Sequence, residues 1–158
     1  RNNFKYICKE MWEHGNPKYI AEEIIRIVNQ NQYRVNHCII DPLSRSGEPN
    51  DNDVFSVLSQ TLGSHGISLD VASKDKENGI ALLNTMLWSE NEMPQLFFFK
   101  DCVKTIQQVD DWIFDPETFK PSKENDDMVE ALYRLALLDT SWYPETVFDI
   151  KNQKNVML

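Results

Sequence analysis

The sequence predicts an α/β layered domain, and three observations carry that reading. Short apolar, β-branched runs alternate with longer stretches whose apolar residues recur every three or four positions. The chain has 158 residues, enough to bury one ordinary core. Its composition, 41% hydrophobic and 26% charged, is that of a globular chain rather than a disordered or fibrous one.

The elements follow in order. Residues 4–12 interleave Phe4, Tyr6, Ile7 and Met11 with charged residues and read as a first strand. Asn16 and Pro17 are suited to the cap and first turn of a helix. In that helix Ile20, Ile24, Ile27 and Val28 share one stripe. Residues 35–40 are largely apolar, end at Asp41-Pro42, and read as a central buried strand. A polar loop spans 43–52. Val54, Phe55, Leu58 and Leu62 then mark a helix that stops at Gly63. Residues 67–71 alternate as a strand, and 72–78 read as a charged loop. Ile80, Leu83, Met86 and Leu87 mark another helix.

A strand over 95–99 follows Pro94. Asp101 is suited to cap a helix carrying Cys102, Ile106 and Val109. Residues 112–123 contain Pro116 and Pro121 and read as irregular. The last helix starts near Asn125 and carries Met128, Ala131, Leu132, Leu135 and Leu138. Residues 1–140 are read as one domain and 141–158 as a loosely held tail. Arg1 in place of Met, ahead of a strand, reads as the start of an internal fragment or of a trimmed chain.

Sixteen basic and twenty-five acidic residues give a formal charge of -9, which argues against a general basic coat for nucleic acid. Carboxylates that hold divalent metals remain compatible with that balance. No apolar run approaches the roughly 18 residues of a membrane span, and no signal peptide is visible. Cys8, Cys38 and Cys102 are read as buried, reduced thiols. His14, His37 and His65 lack metal-ligand spacing and are assigned to structure or surface. Trp12, Trp88, Trp112 and Trp142 are assigned to core or edge positions. The phosphate-binding, dinucleotide-binding, nucleophile-elbow and paired-cysteine motifs are all missing from the sequence.

Two groups of acids are candidates for chemistry. Asp41 closes a central strand, where open α/β sheets bind ligands, although Asp-Pro also opens ordinary turns. Asp126 and Asp127 begin the last helix, with Glu130 one turn on at i+4 and i+3. Their alternative role is capping and dipole compensation. Together the two groups could serve hard Mg or Mn ions, two of which activate water and stabilise a leaving oxygen. Lys74 and Lys76, in the 72–78 loop, could approach a phosphate or simply be solvated beside Asp75 and Glu77.

Four stretches carry a family resemblance. They are residues 6–25, Ile39-Ile40-Asp41-Pro42, residues 72–80, and residues 119–132, the last containing Asn125-Asp126-Asp127-Met128-Val129-Glu130-Ala131-Leu132. Over residues 4–140 the chain resembles the C-terminal nuclease domain of the large terminase subunit of tailed bacteriophages. In that family Asn-Asp-His is often followed by a second Asp before Ala-Leu. Here Asp127 stands in place of the His and Glu130 in place of that Asp.

The resemblance implies an RNase H-like three-layer fold, with a central mixed sheet of five strands and helices on both faces. It implies a metal-dependent endonuclease that cuts concatemeric viral DNA during genome packaging, using two Mg or Mn ions. Asp41 and Asp126 correspond to two of the family's acids. Asp127 is implied beside Asp126 as an extra or alternative catalytic ligand, Glu130 as an auxiliary metal ligand, and Lys74 and Lys76 as side chains that would approach the DNA backbone. A further acid is expected on a strand immediately before Arg1.

The implied partners are double-stranded DNA, the portal protein, the small terminase subunit and an upstream ATPase domain of the same protein. The implied location is the cytoplasm of the infected bacterium. The alternatives are a non-catalytic docking module for portal or packaging partners, and another RNase H-like nuclease such as a junction resolvase.

Overall fold

The computed structural model describes residues 4–45, 53–88, 93–112 and 126–138. These residues form a mixed α/β molecule with four short strands and five α-helices: β1 (Lys5–Ile7), α1 (Pro17–Asn31), β2 (Cys38–Ile40), α2 (Val54–Gly63), β3 (Leu69–Val71), α3 (Lys76–Leu87), β4 (Leu96–Phe98), α4 (Val103–Asp110) and α5 (Asp127–Ala136). A short 3-10 helix, Pro42–Arg45, follows β2. Among the described residues no helix is long and apolar enough to cross a membrane.

The strands are shorter than the apolar runs that announce them, and they do not join one sheet. β1 pairs with β4 and β2 with β3, both in parallel. Parallel pairing requires crossover connections, and the chain supplies helices for them. In β1 the bonds to β4 use Lys5 and Ile7, as in Lys5 N–H to the Gln95 carbonyl and Phe99 N–H to the Ile7 carbonyl. Tyr6 therefore directs its main-chain groups to the opposite edge. Ile40 accepts from Ala72 N–H, so Ile39 likewise faces away from β3. No described strand pairs with either free edge, which is why the expected central sheet is seen as two parallel pairs.

Each pair has its own core. Ala21 and Ile25 of α1, Leu58 and Leu62 of α2, and Ile67 and Leu69 pack together beside β2–β3. Leu83 of α3, Leu96 of β4, and Val129, Leu132, Tyr133 and Ala136 of α5 form the second, joined by Ile7 and Phe98.

The helix ends are set by local chemistry. Asn16 Oδ1 accepts from Tyr19 N–H at 2.9 Å, and Asp53 Oδ1 from Ser56 N–H at 2.7 Å. Asp75 Oδ1 accepts from Asn78 N–H at 3.2 Å, so the charged 72–78 segment ends as the first turn of α3, and Lys76 lies on a helix rather than a loop.

Asp101 does not cap α4. The cap position is Cys102, and the terminal N–H groups are met instead by Glu10, three residues past the end of β1. Glu10 Oε1 accepts from Lys104 N–H at 2.9 Å, and Oε2 accepts from Thr105 N–H at 2.7 Å and from its hydroxyl at 2.8 Å. A carboxylate satisfies orphan donors and complements the helix dipole better than an exposed Asp one residue before the cap.

Three further expectations are revised. Cys102 is buried, but Cys38 is half-buried and Cys8 exposed, because Cys8 lies just past the pairing of β1; all three are free thiols. Trp88 is 82% exposed, since α3 ends at Leu87. Trp12 is also exposed, with Lys104 Nζ 5.2 Å from its ring centroid and the His14 ring edge-on at 6.3 Å. The expected irregular segment 113–123, Trp142 and the expected tail 141–158 lie outside the described residues.

α3 and α5 approach closely at Gly79. A Cβ there would stand 2.9 Å from the Tyr133 carbonyl oxygen and 2.9 Å from its ring. Backbone cannot yield as a flexible side chain can. Gly79→Ala is therefore expected to destabilise the fold by about 1–3 kcal/mol, despite the roughly 1 kcal/mol of helix propensity that alanine gains; urea denaturation checks this.

Glu10 provides a pH test. Burial alone would raise its carboxyl pKa, but the hydrogen bonds from Lys104 and Thr105 outweigh it and hold the group below the ordinary 4.5. A depressed folded pKa contributes stability above the unfolded value, and that stability is lost as pH falls through the folded one. Glu10→Gln is expected to cost about 1–2 kcal/mol at pH 7. The gap from wild type should shrink below pH 4.5, measured by denaturation at both pH values.

Candidate functional site

Asp41 follows the last residue of β2. Its Oδ1 accepts from Leu43 N–H at 2.6 Å and opens the 3-10 turn. Its Oδ2 accepts from Arg134 Nη2 at 2.5 Å. The turn-opening and site-forming alternatives thus each take one oxygen. Pro42 removes the next donor and turns the chain away, leaving the carboxylate at the rim.

α5 brings its acids to the same place. Glu130 lies between two cations: Lys76 Nζ is 3.2 Å from Oε1, and Arg134 Nη2 is 3.8 Å from Oε2. Tyr133 donates its hydroxyl to Glu130 Oε1 at 3.0 Å. Burial opposes ionisation of Glu130, but the bonds from Lys76 and Tyr133 and the nearby charges prevail and keep its pKa below the usual value. Burial first, and then donation to Glu130, push the Tyr133 phenol up to about 12.

Asp126 occupies the cap position of α5 without a side-chain capping bond among the described residues. The first-turn amide of Met128 goes instead to Gln108 Oε1 of α4 at 2.7 Å. Capping therefore does not account for Asp126, whose Oδ2 lies 4.0 Å from Lys76 Nζ.

Asp41, Asp127, Glu130 and Arg134 line one cleft of about 500 Å³, walled by Ile39 and Leu135. Asp127 is exposed. Asp126 and Lys76 border the acids through Glu130 rather than lining that cleft. Lys74 has an exposed side chain just before α3 and does not line it either. A second cleft, of about 370 Å³, is lined by Tyr6, Asn36, Leu83, Leu132 and Leu135 among others. Leu135 of α5 borders both clefts.

Carboxylate oxygens are the donor chemistry that hard divalent cations take. As the side chains stand, no group of three acids among the described residues is drawn together closely enough to grip one ion. Asp41 and Glu130 are instead turned to Arg134, and Glu130 and Asp126 to Lys76. Arg134 and Tyr133 are the participants that sequence reading missed. Their signal was available: both lie one turn beyond the acids, Arg134 at i+4 from Glu130.

No family model matches the chain, and neither a curated protein nor a solved structure matches it.

The Tyr133–Glu130 bond is open to direct measurement. With carbon-labelled tyrosine, the Tyr133 ring is expected to remain a phenol at pH 11. Glu130→Gln should bring its ionisation part of the way back toward 10. Ionisation of Tyr133 near 10 in the wild-type chain would contradict the bond.

Proposed function

We propose that this chain is a metal-dependent nuclease domain of RNase H-like architecture, hydrolysing DNA phosphodiesters. Within that class, its sequence resemblance favours the nuclease domain of a phage terminase large subunit, cutting concatemeric DNA during packaging. The observation that carries the reading is the convergence of Asp41, from the end of a strand, with Asp127 and Glu130, from the start of a helix, on one cleft.

Among the described residues no strand pairs with β1 on its Tyr6 side or with β2 on its Ile39 side, which leaves room for the sheet this reading expects. The RNase H-like reading puts a further strand between β1 and β2, bearing the remaining acid near Asp41. It would make one sheet of the two pairs, with α5 beneath.

Asp41 Oδ2, Asp127, Glu130 and Asp126 are the oxygens that would hold divalent cations. Bound there, Mg or Mn supplies a water of lowered pKa and positive charge facing a phosphate. The protein's own contribution is placement. Asp41 is fixed through its Oδ1 bond to Leu43 N–H. Glu130 is oriented by Tyr133 and Lys76. Lys76, on the first turn of α3, has a partly exposed ammonium able to meet a backbone phosphate from the rim. Lys74, exposed on the preceding segment, would touch the duplex further out. Portal, small-subunit and ATPase contacts belong to the same proposal, as does activity in the infected cell.

The test is plasmid cleavage with Mn. Asp41→Ala and Asp126→Ala should each reduce the rate at least about a hundredfold, the scale of losing one charge-stabilising group. Asp127→Ala and Glu130→Gln should have smaller effects. Unchanged cutting in both of the first two variants overturns the assignment. A wild-type chain that neither cuts DNA nor responds to metal, yet retains portal protein, would favour the docking alternative.

A further inference from the structure

We propose that Arg134 is the resident counter-ion of the cleft and that a divalent cation exchanges with it at Asp41. The inference rests on the nuclease reading and adds to it a residue that governs metal entry.

Arg134 lies one turn beyond Glu130 on α5, with its side chain only 14% exposed. Its Nη2 meets Asp41 Oδ2 at 2.5 Å and lies 3.8 Å from Glu130 Oε2. Its Nη1 donates to the Ser73 carbonyl at 3.2 Å. One guanidinium thereby offsets two acids that arrive from different halves of the molecule. The oxygen it holds is the one a cation requires, because Asp41 Oδ1 is already engaged by Leu43 N–H. A divalent ion on Oδ2 and a guanidinium within hydrogen-bond reach of the same atom compete for its lone pairs and repel each other.

Arg134 has a place to remain when it releases Asp41. The Ser73 carbonyl does not depend on that contact. Neither does the Tyr133 ring, whose centroid is 5.3 Å from Cζ. Exchange therefore requires a slide off Oδ2 and leaves the cation inside the cleft. The freed N–H donors then suit a phosphate oxygen, the anion that accompanies metal in this chemistry.

Lys76 is a weaker competitor. It meets Glu130 Oε1 at 3.2 Å and Asp126 Oδ2 at 4.0 Å, but its side chain is 39% exposed and solvent screens it.

The test combines two measurements. Nitrogen-labelled arginine in the wild-type chain is followed during Mg titration, alongside the Asp41 carboxyl carbon. The Arg134 Nε–H signal is expected to move with the same midpoint as Asp41. Mn binding is then measured by calorimetry in wild type, Arg134→Met and Lys76→Met. Arg134→Met should bind Mn about tenfold more tightly, the equivalent of one charge-assisted bond no longer displaced. Lys76→Met should gain about threefold or less.

An Asp41 signal that responds to Mg while Arg134 stays unmoved overturns the exchange and leaves the nuclease reading intact. So does a folded Arg134→Met chain with equal or weaker affinity. If no acid responds to Mg or Mn, both readings fall together. The wild-type titration decides the matter even where Arg134→Met does not fold.

Discussion

The contact between Arg134 and Asp41 ties together two halves that otherwise have separate cores. Asp41 belongs to the β2–β3 half, packed by α1 and α2, while Arg134 belongs to α5 in the β1–β4 half. Arg134 also reaches the Ser73 carbonyl just after β3, so one side chain touches the ends of both strands of the facing pair. A charge-assisted hydrogen bond contributes about 1.5–3 kcal/mol, toward the lower end here because Asp41 is a third exposed. That is a modest amount for a link between halves. It orients more than it stabilises, and it does so at the place where the acids gather.

The position of Arg134 depends in turn on how α5 is seated. Val129, Leu132, Tyr133 and Ala136 bury one face of the helix. Gly79 lets α3 lie against the Tyr133 backbone, which brings Lys76, three residues earlier on α3, within reach of Glu130 and Asp126. At the other end of the helix start, Gln108 Oε1 holds the Met128 amide from α4. Packing, a missing side chain and a borrowed cap thus fix the depth and rotation of α5. Asp127 and Glu130 are delivered to the cleft because the opposite face is committed to the core.

Much of this order was legible in the chain, for identifiable reasons. α1, α2 and α5 have apolar stripes at helical spacing, and Asn16 caps α1 ahead of Pro17 as its residue type suggests. β2 was readable as a strand from Cys38, Ile39 and Ile40 before Asp-Pro, but its residues are half-buried and, among the described residues, it pairs with β3 alone rather than lying buried at the centre of a sheet. What escaped was chemistry between residues distant in sequence. Glu10 caps α4 across 94 positions, and nothing around Asp101 reports that a carboxylate on another element has taken its role. Arg134 meets Asp41 across 93 positions, so local spacing shows only its relation to Glu130. Lys76 was assigned to a loop because charged residues dominate 72–78. Asp75 nevertheless nucleates the helix there, and the ammonium then faces the acids rather than solvent alone.

The charge balance of the site bears on how many cations it can take under the nuclease reading. Asp41, Asp126, Asp127 and Glu130 contribute four negative charges, against two positive ones on Lys76 and Arg134. Two uncompensated charges remain, the complement of a single divalent ion. A second ion would leave the cluster with excess positive charge unless something anionic arrived with it. The phosphate of a bound strand provides that charge, as does a further acid on an added strand beside Asp41. Under the nuclease reading the site would therefore be balanced for one divalent ion, and loading of a second would be coupled by electrostatics to the arrival of substrate. On that reading the coupling would keep the centre idle until DNA occupied it, a consequence of the two basic side chains, Lys76 and Arg134, that the acids hold.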